Sequence, residues 1–212
     1  MKIEVFAFNP IQENTFVIYD ESSGECAIID PGFFTDKEFD QLKGFISAYD
    51  LKPVKLMNTH CHFDHIFGVE RCREEWKLKW EAHPDDAFLI EGATAQAAMF
   101  GIKIAPINPA DVALNEGAEI SFGNVRLKAI HVPGHSPGSL CLYSEEDKVL
   151  IAGDVLFRGS IGRTDLARGD HDALIRGIKE KLMTLPDDVR VYPGHGPSTT
   201  IGEERSMNPF LQ

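Results

Sequence analysis

The 212 residues lack any cysteine pair at metal or redox spacing, because Cys26, Cys61, Cys72 and Cys141 are scattered with no Cys-x-x-Cys among them. That excludes a disulfide framework and a zinc knuckle, and leaves four reduced thiols suited to a core. Positive charge is also scarce. Lys and Arg number 21 against 33 Asp and Glu, for a formal net charge of −12 and a pI near 5.1. Nucleic acids are bound largely through Lys and Arg that neutralise phosphates, so no nucleic acid is expected as a partner. No apolar run has the length of a membrane span, and Met1 to Asp20 shows neither a signal-peptide core nor a small-residue cleavage pattern. The reading is a cytoplasmic protein without a membrane partner. No linker rich in Pro, Gly or Ser divides the chain, which implies one domain over residues 1–212. The 43% hydrophobic and 25% charged content is ordinary for a globular fold.

What is present is a mixture of strand and helix patterns. Short apolar stretches at 3–8, 15–19 and 26–29, separated by turn residues, read as an opening meander. Between Thr35 and Tyr49, Phe39, Leu42, Phe45, Ile46 and Tyr49 recur at helical steps and mark one buried face. A strand at 54–57, a helix opening near Asp64 and running through Cys72, a strand at 78–82 and a helix over 85–100 complete the first half. After Pro106 and Pro109, strands are expected at 119–122, 125–130, 139–143 and 149–151, then a helix over 171–185 and a strand at 189–192. This alternation fits an α/β protein in layers around a shared core.

The segment His60-Cys61-His62-Phe63-Asp64-His65 concentrates four nitrogen or oxygen donors in six residues. On extended chain, His60 and His62 project to one side and Cys61 and Phe63 to the other, so the two histidines can share a metal. Asp64 and His65 can face a second position nearby. Three more donors follow strand-like runs and sit beside glycines: His135 after Gly134, Asp154 after Gly153 and His195 after Gly194. Glycine lets a loop bend closely around an ion, so these strand ends can converge. Five imidazoles and two carboxylates suit two divalent ions, zinc first, with iron or manganese also matched by ligand type. His83, His131 and His171 join no motif and are read as surface or hydrogen-bonded histidines.

In this order the donors resemble the metallo-β-lactamase superfamily, whose signature is His-x-His-x-Asp-His, a lone His, a bridging Asp and a final His. The resemblance covers the whole chain. It implies an αβ/βα four-layer sandwich of two mixed sheets flanked by helices, with metals at one edge. It further implies that His60, His62 and His135 hold one ion, that Asp64, His65 and His195 hold the other, and that Asp154 bridges. Asp64 would also orient the attacking solvent. The usual lactamase pattern is departed from, since those enzymes place Cys at the position of Asp154 and lack the histidine at His65. The stretch from Gly153 to Asp165 instead resembles type II glyoxalases, hydroxyacylglutathione hydrolases, and the tail after His195 resembles their compact single-domain group. The implied substrate is a small-molecule thioester such as S-lactoylglutathione, with Arg163 at the position that helps hold the glutathione part.

Gly134-His135-Ser136-Pro137-Gly138 matches the nucleophile elbow of serine hydrolases literally. That elbow needs a helix after it and an N–H from the residue following the serine, whereas Pro137 has no N–H and a strand pattern follows. Ser136 is therefore a loop residue beside a donor. An iron-dependent persulfide dioxygenase of the same fold shares Gly162-Arg163-Thr164-Asp165, but it typically differs around the final histidine, where this chain has Gly194-His195-Gly196-Pro197. A lactonase would use the same seven donors.

Overall fold

Side chains on a strand point alternately to its two faces, and here each face meets a different core. A computed structural model describes all 212 residues. Strands β1 (Lys2–Phe8), β2 (Glu13–Tyr19) and β3 (Glu25–Ile29) form the antiparallel meander. Helix α1 (Asp36–Ala48) carries the chain to β4 (Lys52–Met57), which pairs parallel with β3. Helix α2 (Val69–Trp76), β5 (Trp80–Ala82), α3 (Ala87–Met99) and β6 (Val112–Ala113) follow, and the first sheet has order β1-β2-β3-β4-β5-β6. The second sheet starts with β7 (Glu119–Phe122), β8 (Val125–His131), β9 (Leu140–Ser144) and β10 (Val149–Gly153) as antiparallel neighbours. A hairpin of β11 (Leu156–Phe157) and β12 (Ser160–Ile161) leads through α4 (His171–Gly177) to β13 (Arg190–Pro193), which is parallel to β10. Strand β14 (Thr199–Thr200) edges the sheet, and helix α5 (Ile201–Met207) follows.

The alternation sorts residues into three cores. In β3, Cys26 and Ile28 face helices while Ala27 and Ile29 face the other sheet; in β10, Leu150 and Ala152 face helices while Ile151 faces inward. Both faces of these strands are buried, which is why they read as continuous apolar runs. Phe39, Leu42 and Ile46 of α1 cover the first sheet, and Leu174 of α4 covers the second. The result is the expected four-layer sandwich. A capping box starts α1: Glu38 N–H donates to Thr35 Oγ1, and Thr35 N–H donates to the Glu38 carboxylate.

The structure differs from the sequence reading in places. No α-helix opens at Asp64: Phe63–His65 is a single 3₁₀ turn and α2 begins at Val69. Gly68 N–H is drawn to Pro31 O at 2.7 Å, and a Cβ at Gly68 would overlap the Phe33 ring, so the segment is tied to the first sheet before a helix can start. The helix expected over 171–185 ends as a π turn, Ile178–Leu182. Strands β6, β11, β12 and β14 were not anticipated, because two residues are too short for a pattern.

Phe16 lies fully buried between the sheets, with its ring edge-on to Tyr192. Phe16→Ala should destabilise by about 3–5 kcal/mol and lower the unfolding midpoint by roughly 10 °C. The surface change Val5→Ala should move it by no more than about 2 °C. Thermal denaturation of both variants checks this, and equal midpoints would contradict the inter-sheet core.

Candidate metal centre

The donors meet because loops at one edge of both sheets converge there. His60, His62, Asp64 and His65 follow β4; His135 follows β8; Asp154 follows β10; His195 follows β13. The two sheets are laced together at this point. Asn14 N–H donates to Gly194 O at 2.7 Å, and Asn14 Nδ2 donates to Pro193 O and Gly196 O at 2.9 Å each. Gly194 has no room for a side chain, since a Cβ there would overlap Asp154 Oδ1 and lie 2.7 Å from His65 Cε1. This close approach is the reason for glycine before His195.

Two donor sets result. His60, His62 and His135 bring ligand atoms within 4.8 Å of one another, and so do Asp64, His65 and His195. Asp154 lies between them, with Oδ2 3.5 Å from His135 Nε2 and 3.7 Å from His195 Nε2. Its Oδ1, 3.6 Å from His65 Nε2, is buried without a hydrogen-bond partner.

The hydrogen bonds on the far side of the His60, His65 and His135 rings fix where their lone pairs point. A carbonyl oxygen only accepts, so Arg163 O at 2.8 Å puts a proton on His135 Nδ1 and leaves Nε2 facing the centre. Thr59 Oγ1 donates to Asp30 Oδ2 at 2.5 Å and therefore accepts from His60 Nδ1 at 3.3 Å. Asp30 Oδ2 also accepts from His65 Nδ1 at 3.1 Å. The inner nitrogens then confront one another: His60 Nε2 and His135 Nε2 are 3.2 Å apart, His62 Nδ1 and His135 Nε2 2.9 Å, and His65 Nε2 and His195 Nε2 3.3 Å. Converging lone pairs and an unpartnered carboxylate oxygen are what divalent cations would satisfy, and the donors fit them.

The electrostatics agree with that fit. Burial and the neighbouring imidazoles push His60 well below its ordinary pKa. Burial and His135 bring His62 to about 3, so both stay in the neutral, ligating form. Burial works against a charge on His65, but Asp154, Asp64 and Asp30 outweigh it and raise its pKa well above the usual value. For Asp64, burial raises the carboxyl while His65 and His195 more than offset it, to about 2. The pocket of carboxylates thus demands positive charge. Glu13, fully buried with Oε1 3.7 Å from His65 Nδ1, has its carboxyl pushed well up by burial.

Two supporting residues escaped the sequence reading. Asp30 accepts from Thr59 N at 2.7 Å and from Asn58 Nδ2 at 2.9 Å as well as from Thr59 Oγ1 and His65, and Asn58 Oδ1 in turn accepts from the buried Trp80 indole. Asp86 lies in a 3₁₀ turn before α3 and accepts from Cys61 N at 3.0 Å, Ser136 Oγ at 2.8 Å and Gly138 N at 2.7 Å. It thereby clamps the His60–His62 loop to the His135 loop. The only advance signals were their positions, one after a strand and one before a helix. The strand β9 after Ser136 confirms that no nucleophile elbow forms.

A cavity of about 610 Å³ opens over the donors, lined also by Phe63, Phe100 and Arg163. Phe63 thus faces the site, although alternation placed it with Cys61 on the opposite side. Arg163 lines the cavity with its guanidinium held by Asp165 through two 2.7 Å bonds. His83 and His131 stack at 4.2 Å outside this cavity, and His131 Nε2 donates to Pro137 O at 2.7 Å. Tyr192 packs against Phe16, and all four cysteines are buried and unpaired.

An Asn at position 86 keeps the volume of Asp86 but offers one oxygen to three donors. Asp86→Asn should weaken metal binding about 10- to 100-fold, measured by competition with a chromophoric chelator. Unchanged affinity would show that the clamp does not position the donors.

Comparison with known proteins meets the same architecture. The profile of the metallo-beta-lactamase superfamily matches residues 8–195. A hydroxyacylglutathione hydrolase of Haemophilus influenzae is 38% identical over 213 residues, covering 100% of this chain and 98% of that protein. The solved BLEG-1 B3 metallo-beta-lactamase superposes with a TM-score of 0.90 at 37% identity, covering 100% of both chains. A protein solved in a di-iron-bound form gives 0.87 at 38% identity, covering 98% of this chain and 100% of that one. Profile and relatives agree along nearly the whole sequence, and the chain belongs to the metallo-beta-lactamase superfamily.

Proposed function

We propose that this chain is a binuclear metal-dependent hydrolase that cleaves thioesters, with S-lactoylglutathione as its reference substrate. The observation that carries the reading is the position of Asp154 Oδ2, within 3.7 Å of an inner nitrogen from each donor set. In this reading His60, His62 and His135 hold one ion, Asp64, His65 and His195 hold the other, and Asp154 reaches both. Zinc suits the donors first; iron, present in a relative of the same fold, suits them too. When bound, such ions polarise a carbonyl and lower the pKa of a coordinated water to roughly 7.

The chain's own residues do the rest. Asp64, at the cavity floor and 3.3 Å from His195 Nε2, accepts a hydrogen bond from the attacking water and aims it. Water oxygen bonds to the acyl carbon and the carbon–sulfur bond breaks; the sulfur leaves as thiolate and takes up the proton that the water sheds, giving acid and thiol. No protein nucleophile is required. Support for a thioester comes from the Haemophilus influenzae relative and from the stretch leading to Arg163, the one cation that lines the cavity. An iron-dependent persulfide dioxygenase is the reading that competes, and a lactonase shares the donors.

Protein purified without chelator should hold two metal ions per chain and hydrolyse S-lactoylglutathione in preference to a homoserine lactone. A single iron with oxygen uptake on glutathione persulfide would overturn the proposal. Asp154→Ala should remove most of the bound metal, measured by elemental analysis. Arg163→Ala should raise KM for S-lactoylglutathione several-fold and leave metal content intact; wild-type kinetics would remove Arg163 from substrate binding.

A further inference from the structure

The cavity that holds the donors does not stop at them. It is lined by His62, Asp64, His135, Asp154 and His195 and also by Ile11, Phe63, Met99, Phe100 and Leu166. A molecule whose reacting carbon reaches the donors therefore shares the cavity with those apolar side chains. Met99 is 85% exposed and Phe100 62% exposed at the end of α3, yet Phe100 is not isolated, for its ring centroid is 5.0 Å from that of Phe63. Large apolar side chains such as Met99 and Phe100, left open in a cavity that also holds the donors, mark a binding surface.

Charge points the same way. Arg163 is engaged by both carboxylate oxygens of Asp165, which lines the same cavity, so the pair offers no net charge. A glutathionyl group brings two carboxylates and must compete with Asp165 for Arg163. We infer that the preferred substrate carries an apolar group, on its acyl or its thiol side, that packs against Ile11, Phe63, Met99, Phe100 and Leu166. This rests on the thioester reading and specifies its substrate class. Full burial of a methylene favours binding about fourfold, and a wall open on one side returns about twofold.

Two thioester series test it with metal-loaded protein, one lengthening the acyl chain from acetyl to octanoyl on a fixed thiol, the other lengthening an alkyl thiol on a fixed acetyl group. Expected is a rise in kcat/KM of about twofold per methylene in at least one series, ending above the value for S-lactoylglutathione. The series that rises identifies which side of the substrate meets the wall. In the doubly substituted Met99→Ser, Phe100→Ser protein the slope should flatten, and because both side chains are exposed the unfolding midpoint should hold. Flat profiles in both series, a slope unchanged in the variant, or a best rate on S-lactoylglutathione would overturn the inference. If no thioester is cleaved, the hydrolase reading fails by itself. Calorimetric titration with the matching non-hydrolysable thioethers then decides the wall: affinity that climbs with chain length upholds it, and constant affinity sinks it.

Discussion

Five imidazoles and two carboxylates are held together at the seam between two sheets, and the surrounding structure opposes the repulsion among the imidazole nitrogens that face one another. Inner nitrogens stand 2.9–3.3 Å apart, and the far-side nitrogens of His60, His65 and His135 are committed elsewhere. Such a cluster does not contribute stability as protein alone. It persists because the apolar cores on either side, with Phe16, Ile29, Met57 and Ile151 between the sheets, make the surrounding loops expensive to displace.

The restraint is supplied residue by residue. Asp30 ties Thr59, Asn58 and His65 together, and Asn58 connects that group to Trp80 in the helix-covered core. Asp86 ties the two histidine loops that come from different sheets. Arg163 contributes through its backbone: its carbonyl sets the tautomer of His135, independently of its side chain. Each contact orients a donor whose partner lies far away in sequence, which is how a rigid site can be built from loops.

This explains what could be read in advance. His60, His62, Asp64 and His65 were legible because four donors in six residues have no packing explanation, and His135, Asp154 and His195 because each follows an apolar run and a glycine. The layers were legible from period-two alternation and from the helical spacing of Phe39, Leu42 and Ile46. Asp30 and Asp86 were not. An isolated Asp after a strand or before a helix looks like any turn or cap residue, and only the fold brings Asp86 to Ser136, fifty positions on. The 3₁₀ turn at Phe63–His65 escaped for the same reason, since the pull of Pro31 O on Gly68 N is a tertiary contact that local propensity does not contain. Phe63 was misplaced because alternation holds only while the chain stays extended.

The acidity of the chain bears on substrate choice less than its size suggests. Part of the formal net charge of −12 sits in Asp30, Asp64 and Asp154 around the donors, where bound cations would offset it. Most of the remaining acidic residues lie on the surface, where salt at physiological strength screens charges beyond about 8 Å. Long-range repulsion is therefore a weak filter against an anionic thioester. Discrimination has to arise at contact, inside the cavity, where screening is poor and the lining is set by a few residues. There the Arg163–Asp165 pair is neutral as a unit and the lining also includes Phe63, Phe100 and Leu166. An apolar wall beside the donors has a second effect: once a substrate covers it, water is displaced and the field at the reacting carbonyl strengthens. On the proposed substrate class, the apolar side chains of the lining bear both on which molecule enters and on how strongly its carbonyl is polarised.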